Sequence, residues 1–160
     1  MVPTLALVVV LDAGFGANAR LARREDDGIE YAQRVYAVQH ALSTWQIEYM
    51  SMPDESDADA RAMEDRADLV QDAFDRLLDY HATVEDRLDL GERRLAVRGL
   101  GELSPVELER RWLDYRDDPT PAKYATLLDS LVRTGASVLD LSGATQDPGL
   151  DTNAMIRGVM

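Results

Sequence analysis

Cysteine is absent from this 160-residue chain, which excludes disulfide scaffolds, thiolate metal centres and cysteine nucleophiles. Histidine is nearly absent. His40 and His81 are the two present, on different expected helices and with no conspicuous third ligand, so no metal site is expected. Positive charge is scarce: 17 basic residues face 30 acidic ones, a net charge of −13. Phosphate binding needs a clustered basic face, so nucleic acid is excluded as a partner, and an anionic membrane surface as the main one. No spacing picks out a nucleophile with its base or a coupled carboxylate pair, so neither catalytic residues nor a cofactor are expected. Asp57-Ala-Asp59 opens like a calcium loop, but Ala62 stands where that loop needs glycine. The acidic run from Glu64 to Asp79 reads as a solvated helix face.

Long apolar runs are limited to the N-terminus. Val2 to Leu11 is apolar apart from Thr4, and the run continues to Ala17 around Asp12. Its leading reading is a transmembrane or signal-anchor helix over residues 1–19, in which Asp12 would cost about 2.5–3.5 kcal/mol. A cleaved secretory signal normally has a basic first region, and none is seen here. Gly14-Phe-Gly16-Ala-Asn-Ala19 has the spacing of a dinucleotide-binding turn, which requires a preceding strand and a βαβ unit. An ordinary buried helix is the remaining reading. Arg20, Arg23 and Arg24 follow the run and by the positive-inside rule point to the cytoplasm, though that rule is relative.

What fills the rest is a heptad beat. Tyr31, Val35, Val38, Leu42, Trp45, Tyr49 and Met52 alternate steps of four and three, the seam of a long helix. Pro53 and Asp54-Glu-Ser-Asp57 end it. Met63, Ala67, Val70, Phe74, Leu77, His81, Val84 and Leu88 repeat the pattern, so the two helices pair antiparallel. His81 reads as a hydrogen-bonded residue at the core edge. Gly91 and Gly99-Leu-Gly101 loosen the pattern before Ser104-Pro105-Val106-Glu107, a capping box with proline at the first helical position. That short helix ends by Asp117-Asp118-Pro119, and Thr120-Pro121 starts another that stops at Gly143. A turn follows at Asp147-Pro148-Gly149, and Asp151 or Thr152 caps a helix that has barely begun. The expected fold class is all-α: an antiparallel up-down bundle of four-helix type, its last helix truncated, over residues 20–160. Without that helix the other seams are expected to stay partly uncovered.

With the helices placed, several segments match a known pattern. Trp112 to Leu128 resembles the third-helix region of periplasmic helical-bundle sensor domains in methyl-accepting chemotaxis proteins and related bacterial receptors. Leu139-Asp140-Leu141-Ser142 with Asp147-Pro148-Gly149-Leu150-Asp151-Thr152 is similar to the same family's closing segment, with Asp140, Ser142, Asp147, Pro148, Leu150 and Asp151 in common. Gly28-Ile-Glu-Tyr31 is similar to the start of its first helix. The chain departs from the pattern at Trp45-Gln46-Ile47, Leu139 and Asn153-Ala154. The resemblance implies a non-enzymatic input domain at the inner membrane, its bundle outside the cytoplasm, joined to a cytoplasmic output module. A small-molecule ligand and a homodimer are the implied partners.

In such a bundle the ligand contacts polar or aromatic residues that interrupt the apolar seam. Tyr31, Arg34 and Trp45 on the first helix, and Arg133 and Asp140 on the last complete one, are the candidates. Arg133 could grip a carboxylate bidentately, while Asp140 and Ser142 could instead fix the turn that follows. The alternative expectation is a non-sensory scaffold that assembles through its heptad seams.

Overall fold

In a computed structural model of the chain, the described backbone comprises residues 3–51 and 57–144, and the described side chains residues 18–51 and 61–144. The elements are helical: α1 (Pro3–Ser51), α2 (Asp57–Leu88), α3 (Glu92–Val97), a single 3-10 turn (Gly101–Leu103), α4 (Pro105–Asp117) and α5 (Pro121–Ser142). Among the described residues there is no strand, so the all-α expectation holds.

Four helices surround one core. α1 lies beside α2 and α5, and α4 lies beside the same two helices. Cross-contacts fix the directions. Arg24 meets Asp89 and Glu48 meets Arg66, so α1 and α2 are antiparallel. Gly28 meets Ser142 and Ser43 meets Tyr124, so α1 and α5 are antiparallel as well. Val35, Val38, Leu42, Val70, Phe74, Leu77, Leu108, Trp112 and Leu131 fill the centre with no exposed surface. Each fully buried Val, Leu or Phe side chain contributes about 1.5–3 kcal/mol of transfer free energy. The seams from Tyr31 to Trp45 and from Ala67 to Leu88 are therefore covered, with α4 and α5 packed over them, where the expectation left them partly open. The expected final helix from Asp151 falls outside the described residues.

The helix boundaries follow local chemistry. The Ser104 hydroxyl accepts from the Glu107 backbone N–H and Pro105 occupies the first turn, half of the expected reciprocal box. Glu107 spends its carboxylate on Arg110 and Arg111 instead. Thr120 caps α5 in the same way through Lys123 N, and Gly143 ends it at φ +88°, a left-handed conformation that glycine adopts without a Cβ clash.

Two expectations change at the N-terminus. The apolar stretch and the first bundle helix are one continuous helix, not two elements meeting near residue 19. Between Leu11 and Ser51 there is no proline, so nothing stops helix propagation, and isolated glycines weaken it without ending it. Gly14 and Gly16 lie inside this helix, which removes the strand–turn–helix needed for dinucleotide binding. Asp57-Ala-Asp59 is likewise helical, not a calcium loop. Among the described residues no helix is long and apolar enough to cross a membrane, and the side chains of residues 1–17, where most of the expected span falls, lie outside them.

Candidate functional site

Tyr31 opens the packed seam of α1 and is buried. Its hydroxyl lies 3.0 Å from Nδ1 of His81 on α2, and the two rings meet edge-on at 5.9 Å. Burial pushes the Tyr31 phenol far up, so it stays protonated. Burial also lowers the His81 pKa, while the carboxylates of Glu85 and Glu92 pull it back up. The other ring nitrogen, Nε2, is 3.5 Å from Glu85 Oε2.

Arg34 stands three residues on. It bonds Glu30 at 2.6 Å and lays its guanidinium 4.3 Å above the Tyr80 ring. Tyr80 is pushed up to about 12, first by burial and then by the charges of Glu30 and Asp27. Arg87 closes the cluster with two bonds to Asp27, at 2.7 and 3.1 Å. Tyr31 and Arg34 thus converge, through α2, on one polar seam between the first two helices.

The other candidates lie elsewhere. Trp45 belongs to an aromatic core cluster, edge-on to Trp112 and Tyr115 at 5.4 Å each and stacked on Tyr49 at 5.1 Å. Fourteen residues separate it from Tyr31 in the numbering, about 21 Å along the helix. Its indole N–H and that of Trp112 have no hydrogen-bond partner among the described residues. Arg133 is half-exposed and pairs with Glu102 at 2.9 Å. Asp140 is exposed on the last turn of α5, and its backbone carbonyl accepts from Gly143 N. Ser142 fixes that turn, its hydroxyl donating to the Leu139 carbonyl and accepting from Ala144 N.

An open cleft of about 570 Å³ lies between the end of α2, α3 and the start of α4. Its charged wall is formed by His81, Glu85, Asp86, Glu92, Arg93 and Arg94. Arg94 is ion-paired with Asp89. Inside the bundle, beside Tyr31, an apolar cavity measures about 10 Å³, room for one water at most. Among the described residues no group of three or more His, Asp or Glu could hold a metal ion.

No family model matches this chain, and neither a curated protein nor a solved structure matches it. Geometry alone relates the segments singled out in the sequence. Gly28 and Ser142, from two of them, touch at the crossing of α1 and α5. A Cβ built on Gly28 would lie 2.2 Å from the Ser142 Cβ, so only glycine permits this approach. The cleft wall contributed by α3 has no counterpart in the sequence reading. Its one visible signal is the leucine set Leu90, Leu95, Leu100 and Leu103, which turns this short segment toward the core.

Proposed function

We propose that this chain is the extracytoplasmic input domain of a membrane signal-transduction receptor of chemotaxis type. Residues 1–19 cross the inner membrane in this reading, and the bundle lies outside the cytoplasm. The observation that carries it is the unbroken α1, which leads from the apolar N-terminal residues into the bundle core. A helix of this kind transmits displacement as a rod. The Gly28–Ser142 crossing locks the end of α5 onto the rod, so a shift at one helix is felt by the other. A small-molecule ligand biases two packings of the bundle, a homodimer assembles through its helix faces, and a cytoplasmic output module reads the displacement. Among the described residues the cavity beside Tyr31 has room for one water, so in this reading the ligand contacts the outside of the bundle, where the cleft beside His81 offers it a concave surface.

The absence of cysteine makes the test direct. Val97 on α3 is 84% exposed, and Val97→Cys introduces the single thiol of the chain. A membrane-impermeant maleimide should label it in intact cells. Labelling that appears only after lysis would place the bundle inside and sink the proposal.

A second reading, a helical scaffold or partner-binding protein that takes no small ligand, draws on the same small cavity. It expects no small molecule to raise the melting temperature of the chain, and a stable complex with another protein instead.

A further inference from the structure

The Tyr31–His81 pair joins two helices at the point where the cleft begins, and it has a chemical sense of direction. Tyr31 makes this one hydrogen bond and no other among the described residues. A buried hydroxyl without an acceptor is costly, so the phenol donates and His81 Nδ1 accepts. The ring is then neutral and carries its proton on Nε2, facing Glu85 and the cleft. We propose that this pair is an acid-sensitive latch: it ties α1 to the cleft end of α2, and it lets go when His81 takes up a proton.

The release follows from counting donors. Protonation puts a second N–H on Nδ1, 3.0 Å from an oxygen that already carries a hydrogen. The hydroxyl must turn to accept, and its own hydrogen is then stranded at a residue only 1% exposed. The adjoining cavity offers space for a single water and is lined mostly by leucines.

The charges around the ring set where this happens. From α1 the facing group is Tyr31. From α2 they are Glu85 and Asp86, and from α3 they are Glu92, Arg93 and Arg94. The residues of α4 that line the cleft, Pro105 and Val106, do not titrate. Among these charged groups, the carboxylates of Glu85 and Glu92 partly oppose the effect of burial, while Arg94 is engaged by Asp89. The folded-state pKa lies below the ordinary 6.5, so the stabilisation is fully present above pH 6.5 and is lost as pH falls through the folded value. What loosens is the segment from Leu90 to Leu103, which closes the cleft. The latch does not depend on where the protein resides; in a receptor it would make external acid an input.

The test is an NMR titration of the His81 ring in the full chain. His81 should titrate below the ordinary 6.5 of an imidazole, in the Nε2–H tautomer. Amide hydrogen exchange in α3, corrected for its intrinsic pH dependence, should accelerate on acidification by up to about tenfold per unit of pKa depression. His81→Gln keeps an acceptor for Tyr31 but cannot titrate, so between pH 7.5 and 5 its exchange in α3 and its melting temperature should stay flat. An Nδ1–H tautomer, a His81 pKa at or above 6.5, or the same acid response in His81→Gln would overturn the latch.

Discussion

Replacing Gly28 by alanine sets two calculable effects against each other. Alanine gains about 0.8–1 kcal/mol over glycine inside a helix. Here its methyl group would lie 2.2 Å from both Cβ and Oγ of Ser142. The Ser142 Cβ is fixed to the α5 backbone, so no rotamer change removes the clash and the two helices must separate. Overpacking of this kind costs about 1–3 kcal/mol. The single variant should therefore lose about 0–2 kcal/mol, at most roughly 8 °C in melting temperature for a chain of this size. In a Ser142→Gly background the obstacle is gone, and Gly28→Ala should stabilise by about 1 kcal/mol. The sign of one substitution thus reverses with the identity of a residue 114 positions away in the numbering. Urea and thermal unfolding of the four proteins, followed by circular dichroism, give the coupling directly. The hydroxyl bonds lost with Ser142 cancel in the cycle. Effects that add within about 0.5 kcal/mol would mean that the helices do not approach as described.

Other perturbations have equally definite outcomes. Phe74→Ala empties the centre of the core and should cost about 3–5 kcal/mol in urea unfolding; a loss under 1 kcal/mol would contradict its complete burial. Ser104→Ala removes the cap of α4 and should cost about 1 kcal/mol, while Ser104→Asp, which restores an acceptor, should recover most of it. Arg133→Ala breaks a half-exposed pair with Glu102, and a stability change beyond about 1 kcal/mol would be unexpected. Glu107 is held down at about 2 by hydrogen bonds from Arg110 and then Arg111. Its contribution is present above pH 4.5 and disappears as pH falls toward 2. The stability gap between the wild type and Glu107→Gln should therefore close over that range.

Much of the bundle was legible because it is written in local chemistry and period. The seam residues Val35, Val38, Leu42, Val70, Phe74, Leu77 and Val84 are all buried where the heptads place them. Ser104, Thr120 and Gly143 mark helix ends because capping requires those residue types. Tyr49 escapes the pattern at 43% exposed, near the end of α1 where the seam has fewer neighbours. The continuity of α1 was not legible: three glycines and the polar stretch from Arg20 to Asp27 look like a linker, and only the lack of proline speaks against one. α3 has six residues, too few to show a period. The candidate residues divide for a related reason. A seam position tells that a side chain faces inward, not which partner it meets, so Tyr31 and Arg34 share a cluster while Trp45, Arg133 and Asp140 do not.

The aromatic cluster has an optical consequence. Trp45 and Trp112 are the two tryptophans of the chain, and they sit edge to face in contact, shielded from water. Intrinsic fluorescence therefore reports on one end of the bundle alone, and it should be blue-shifted until that end opens. The histidine resonance of His81 reports on the other. A denaturation in which the two signals move together describes a single cooperative body, and one in which they part describes ends that melt independently. The molecule carries both reporters from the start, without a label.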